Sequence, residues 1–264
     1  MTAPVWLHPL FAWKNSSNKK VLEACGKAFA PNIADVDNKR SLLIARSVFD
    51  DLQVTRLINA NSSEAKEENR GTALENAVTE EIEAQLSLKA PHTSYNVARG
   101  VDVWTYEQYK HLSELRKILS DTPSLRVTLG TDYQITPDIT VGIGIPGNPL
   151  HAVISCKWTL RSDRAQNIRH EFNLLVRSRR GRAPHLVAVT AEPLPSRLAS
   201  LTRGTGEIDS VYHVAFNEMQ KAVTAHGSIR HNRNVPSQLE YWQEMTEQNR
   251  LRDFNDLVSD LLRY

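Results

Sequence analysis

The chain has 264 residues, 41% of them hydrophobic and 23% charged, an ordinary soluble globular composition that suits one compact domain. A formal net charge of only +2 neither demands nor excludes a polyanionic partner, so any DNA-binding surface must be a local basic one. Two distant cysteines, Cys25 and Cys156, with no C-x-x-C or Cys/His cluster, exclude a disulfide framework and a structural zinc site, and a cytoplasmic location is expected. The apolar run from Ala3 to Trp13 is broken by His8 and Pro9 and lacks the basic start of a signal peptide. No stretch approaches the roughly 20 apolar residues of a membrane span, so no membrane partner is expected.

In chain order, the spacing of Val21, Leu22, Ala24, Cys25, Ala28 and Phe29 predicts a helix from Lys19 to Phe29, ended by Pro31. A second helix is predicted from Ser41 to Leu52, across the polar connection Asn32 to Arg40. Gly71 and Thr72 read as the N-cap region of a helix carrying Leu74, Ala77, Val78, Ile82 and Leu86. Another helix is expected from Tyr106 to Ser120, before Pro123. The β-branched runs Tyr133 to Val141, His151 to Trp158 and His185 to Ala191 read as central strands, the first two joined by the Gly/Pro-rich turn Gly142 to Leu150. A helix from Ser162 to about Arg177 links the second and third strands. A fourth strand, Ile208 to Phe216, and C-terminal helices from Leu239 to Leu262 complete an α/β sandwich. The expected organisation is a single domain over residues 1–264 with a helical extension from about residue 221.

The chemistry-bearing residues lie in the middle. Hydrolysing a phosphodiester in line needs an activated water and charge neutralisation at phosphorus, which carboxylate-held Mg2+ and a positioned lysine supply. Pro137-Asp138 ends one strand, Ser155-Cys156-Lys157 lies on the next, and Glu171 follows in the helix, with thirteen residues between it and the lysine. Strand alternation puts Val153, Ser155 and Lys157 on one face, so that Lys157 faces Asp138 across the hairpin. Taken singly these pieces are ordinary: a Pro-Asp pair is usually a turn, and a strand-terminal lysine usually reaches solvent.

The run Ser155-Cys156-Lys157-Trp158-Thr159-Leu160-Arg161-Ser162-Asp163-Arg164-Ala165-Gln166-Asn167 resembles the CCGG-core group of type II restriction endonucleases, in the PD-(D/E)xK superfamily. The resemblance extends over about Ala34 to Phe216 and fades after about Lys221, and the turn between Asp138 and Lys157 is shorter than in the family. It implies a restriction-endonuclease-like fold, a central mixed β-sheet flanked by helices. It further implies Mg2+ held by Asp138, Glu171 and the Cys156 carbonyl, with Lys157 at the water or scissile phosphate and Glu75 as an additional acidic residue. In this group Ser155 stands where the commoner arrangement has an acid, and Glu171 replaces that acid in space.

Arg161, Asp163 and Arg164 crowd the start of the helix, and arginine suits guanine O6 and N7 while aspartate accepts from cytosine N4. The resemblance assigns these three to a CCGG core and matches Asp35 and Arg197 to the outer base pair, favouring GCCGGC. Asp37 and Glu68 depart from the family and add negative charge near DNA unless they pair locally. The bland alternative makes Ser162 and Asp163 helix caps beside solvated arginines. The basic run Arg177, Arg179, Arg180 and Arg182 reads as a solvated helix end with room for phosphate contacts.

The function implied is Mg2+-dependent cleavage of double-stranded DNA at a palindromic CCGG-core site, leaving four-base 5′ overhangs. A palindrome read in two halves implies a homodimer, or a homotetramer as some of the family form. The competing readings are a sequence-independent or structure-specific nuclease of the same fold and a catalytically inactive DNA-binding module.

Overall fold

The computed structural model describes residues 3–58, 69–122, 124, 127, 134–145, 148–204, 206–230 and 232–263. Its centre is a six-stranded sheet formed by β4 (Tyr95–Arg99), β5 (Ile139–Ile143), β6 (Leu150–Lys157), β7 (His185–Thr190), β8 (Ser210–His213) and β9 (Leu251–Asp253), in that spatial order. β4, β5 and β6 form an antiparallel meander, and β6 through β9 run parallel, so the sheet is mixed. A smaller three-stranded sheet has β1 (Trp13–Asn15) between β2 (Phe29–Pro31) and β3 (Leu57–Ile58).

Each parallel step is bridged by helix. α5 (Ser162–Ser178) joins β6 to β7, α6 (Pro195–Thr202) joins β7 to β8, and α7 (Phe216–His226) with α8 (Gln238–Glu247) leads to β9. The remaining helices are α1 (Lys19–Cys25), α2 (Lys39–Asp51), α3 (Arg70–Lys89), α4 (Lys110–Asp121) and α9 (Leu257–Leu261). α3 packs on β4 and β6, α2 on α7, and α6 on α5 and α8. Every residue of β6 but the last is buried, as is expected of a strand covered on both faces, so the continuous run Leu150 to Cys156 builds the core instead of an alternating pattern. No helix among the described residues is long and apolar enough to cross a membrane.

Several boundaries differ from the sequence reading for identifiable reasons. The first helix stops at Cys25 because Gly26 takes a left-handed φ of 68° and its N–H caps the Leu22 carbonyl, which frees Phe29 to Pro31 to pair with β1. The third helix is capped by Asn69, not by Gly71 or Thr72: the Asn69 side chain accepts from the Thr72 N–H. Val103–Thr105 and Glu107–Tyr109 form two tight 3-10 turns ahead of α4, which starts only at Lys110. Glu68, Pro123 and residues 131–133 lie outside the described residues. The C-terminal stretch expected as helix contains β9, which pairs with β8 from Val211↔Leu251 to His213↔Asp253.

Candidate active site and DNA-reading cleft

The start of β5 brings Asp138 against the end of β6. One carboxylate oxygen, Oδ2, accepts from Ser155 Oγ at 3.0 Å, the Cys156 backbone N–H at 2.8 Å and Lys157 Nζ at 2.5 Å. Ser155 and Lys157 therefore act from the same side of β6, as strand alternation requires. The Cys156 thiol is buried, and burial followed by the Asp138 charge pushes it well above the usual thiol range, so this residue offers backbone, not thiolate.

Glu171 sits half-buried in the third turn of α5, and its Oε1 has no hydrogen-bond partner among the described residues. Burial, and then the nearby Asp138 carboxylate, raise its pKa to about 7, against the opposing pull of Lys157. A buried, unpartnered carboxylate oxygen beside a second carboxylate calls for a cation or a proton. The donors on offer are all oxygen, which suits a hard ion such as Mg2+. Among the described residues no three His, Cys, Asp or Glu side chains stand close enough to enclose an ion by themselves. The two carboxylates would thus be completed by a carbonyl and solvent, and Mg2+ characteristically keeps several waters.

Glu75, in the second turn of α3, reaches the same region and is held by Arg99 of β4 at 2.6 Å. Glu75, Cys156, Lys157 and Arg164 line one cleft of about 370 Å³, together with Lys14, Asn32, Arg70 and Thr159. A second cleft of about 430 Å³ holds Asp35, Asp37, Arg161 and Arg197 and shares Asn32, Arg70 and Thr159 with the first. Glu75, Cys156 and Lys157, read from the sequence as cutters, thus share the first cleft with Arg164, and Asp35, Asp37, Arg161 and Arg197, read as readers, line the adjoining one, while Asp138 and Glu171 line neither and reach the first through Lys157. Asp163 is exposed on the first turn of α5.

The helix start carries no side-chain cap, with Arg161 in the N-cap position, so the capping reading of Ser162 and Asp163 does not describe this structure. Asp35 and Arg197 are ion-paired with one another, and Arg197 also lies 3.7 Å from Glu192. Asp37 accepts from Asn18 Nδ2 at 3.1 Å, a neutral amide that orients the carboxylate and leaves its charge in place. The basic run from Arg177 falls at the opposite end of α5, about 25 Å along the helix from Arg161, in keeping with the bland reading of that segment.

Two contributors to the site escaped the sequence reading. Arg99, the partner of Glu75, lies on a strand that had not been recognised, although Tyr95 to Arg99 ends at a glycine with φ of 59°. Glu192 is fully buried yet accepts from the Leu160 N–H at 2.7 Å and the Leu194 N–H at 3.1 Å. Burial raises its pKa to about 7, opposed by those two N–H groups and Arg197. No spacing rule could have assigned it, because its partners are backbone amides.

A family model described as NgoMIV restriction enzyme matches residues 13–145 and 144–262. The type II restriction enzyme NgoMIV of Neisseria gonorrhoeae is 36% identical over 298 aligned residues, covering 97% of this chain and 99% of that protein. The two matched segments meet in the β5–β6 turn and the alignment is longer than the chain, which fits the shortened turn read from the sequence. The match reaches residue 262, correcting the expectation that similarity fades after Lys221. With a mixed sheet that gathers the motif residues, and with similarity along almost its whole length, the chain belongs to the NgoMIV restriction enzyme family, a family of type II site-specific endonucleases.

Proposed function

We propose that this protein cleaves double-stranded DNA at the palindrome GCCGGC, in a Mg2+-dependent hydrolysis that leaves four-base 5′ overhangs, and that it works in the cytoplasm as a homodimer or homotetramer. The observation that carries this reading is the adjacency of the two clefts, one lined by Glu75, Lys157 and Arg164 and the other by Asp35, Arg161 and Arg197.

Asp138, Glu171 and the Cys156 carbonyl would hold Mg2+, which when bound supplies charge neutralisation at the scissile phosphate. Lys157 orients the attacking water or a phosphate oxygen, and the Ser155 hydroxyl and Cys156 N–H hold the Asp138 carboxylate in place. Water adds to phosphorus, one ester P–O bond breaks, and the departing oxygen takes up a proton from solvent. Glu75, fixed by Arg99, adds negative charge to the same cleft. Arg161, Asp163 and Arg164 read the CCGG core by matching donors and acceptors on guanine and cytosine, and Asp35 with Arg197 reads the outer G·C pair. A palindrome then requires two such surfaces related by a two-fold axis.

Digestion of a fully sequenced plasmid with Mg2+, beside an EDTA control, tests the proposal through the sequences of the fragment ends. Discrete ends at GCCGGC are expected. Ends at another CCGG-core site would overturn the outer-pair assignment, a sequence-independent ladder would point to a non-specific nuclease, and no metal-dependent cutting would leave a binding module.

A further inference from the structure

Fully buried carboxylates are costly unless their oxygens are satisfied, and the way Glu192 satisfies them is informative. Oε1 accepts from the Leu194 N–H at 3.1 Å, closing the turn that leads into α6, and lies 3.7 Å from Arg197 Nη1. Oε2 turns the other way and accepts from the Leu160 N–H at 2.7 Å, one residue before Arg161. The neighbouring backbone repeats the tie, since the Ala191 N–H donates to the Trp158 carbonyl at 3.2 Å. His213 secures Glu192 from behind: its Nδ1 accepts from the Ala215 N–H at 3.1 Å, so Nε2 carries the hydrogen and donates to the Glu192 carbonyl at 3.1 Å.

We propose that Glu192 is a positioning residue for specificity, whose two carboxylate oxygens lock the start of α5, with Arg161, Asp163 and Arg164, and the α6 turn, with Arg197, into one reading frame. The proposal rests on the reading of those residues as base readers given above. Inner and outer base pairs are then recognised by a single rigid unit, and a change at Glu192 disturbs both. Glutamine keeps the shape but offers one accepting oxygen and one NH2 group, so one of the two backbone amides would face a donor.

The test compares kcat/KM on the GCCGGC duplex with duplexes altered only at the outer pair or only at an inner pair, for wild type, Glu192→Gln, Arg197→Ala and the double variant. Wild type should discriminate at both positions; if it does not, the target reading fails and this proposal with it. Given wild-type discrimination, Glu192→Gln should reduce both ratios about tenfold or more, a loss of one hydrogen-bonded frame contact, while weak binding to a non-specific duplex and its salt dependence stay unchanged. Arg197→Ala should reduce the outer ratio alone, and adding Glu192→Gln to it should still reduce the inner one. Retention of both ratios in Glu192→Gln, or no inner loss in the double variant, would overturn the proposal; so would a loss of total activity with the ratios intact, the mark of a merely structural role. If thermal melting shows that the Gln variant does not fold, Glu192→Asp, one methylene too short to span both amides, takes its place, with the same ratios deciding.

Discussion

At the Asp138 carboxylate, three donors converge on Oδ2 alone: the Ser155 hydroxyl, the Cys156 amide and the Lys157 ammonium. Lys157 is thereby oriented by its ion pair with Asp138 while its side chain remains 26% exposed and lines the cleft. Lys157→Ala should lower cleavage by more than about a thousandfold while sequence-selective binding survives, measured by single-turnover digestion beside a gel-shift titration. Wild-type turnover would remove Lys157 from the chemistry. Arg164 lines the same cleft and also reaches the Thr159 carbonyl at 3.1 Å. Arg164→Ala should therefore cost about 1–3 kcal/mol of discrimination between CCGG-core and scrambled duplexes, and unchanged discrimination would sink its reading role. Asp138, Lys157 and Glu171 were picked out in the sequence through the resemblance carried by Ser155 to Asn167, not through their spacing alone; the fold sets Asp138 2.5 Å from Lys157 and near enough to Glu171 to raise its pKa. Arg99 and Glu192 were not picked out, because a charged residue whose partner lies on an unrecognised strand, or is a backbone amide, has no signature of its own.

Among the elements, those with strong periodicity or β-branched runs were readable, and short ones were not. α2 behaves as its apolar spacing predicts, starting two residues earlier because the Asn38 side chain accepts from the Arg40 N–H at 3.1 Å and the Ser41 N–H at 3.2 Å. Asn38→Ala should lower unfolding free energy by about 1 kcal/mol in urea titrations, and an unchanged midpoint would show the cap to be dispensable. β6 and β7 were found from composition, being buried in nearly continuous runs. β1, β2 and β3 have two or three residues each and β9 three, too few for an alternating pattern to show. β9 nevertheless covers the edge of β8. Truncation after Asn249 should leave Val211 and Tyr212 on an open edge and promote aggregation, detectable by light scattering; a monodisperse truncated protein would contradict this.

At the scale of the whole molecule, His213, the last residue of β8, is buried against the Glu192 loop and contributes an acid-sensitive share of the stability, opposed over the same range by the raised carboxyls of Glu171 and Glu192. Burial lowers the His213 pKa from 6.5 to about 4, against the hydrogen bond from Nε2 to the Glu192 carbonyl, while the Ala215 N–H aimed at Nδ1 leaves no place for a second proton. The unfolded chain takes up that proton near pH 6.5 and the folded chain does not, so stability is fully present above 6.5 and is lost as pH falls toward 4. The loss amounts to about 3 kcal/mol over that window. Urea midpoints of wild type and His213→Gln between pH 7.5 and 4.5 check this: wild type should show the steeper decline, and equal slopes would exclude His213 as its source.

The shared wall of the two clefts, with Asn32, Arg70 and Thr159 facing both, also limits how such a protein can change its target. Lys157 and Arg161 are separated by three residues on one strand-to-helix junction, so in the proposed reading a backbone shift there that re-aims Arg161 re-aims Lys157 as well. In the same reading, new specificities are accessible by exchanging side-chain tips on an unmoved scaffold, while loosening the scaffold weakens discrimination at more than one base pair at once. A change to the scaffold on that reading gives a less discriminating nuclease, whereas a change to a side-chain tip gives one with a different target.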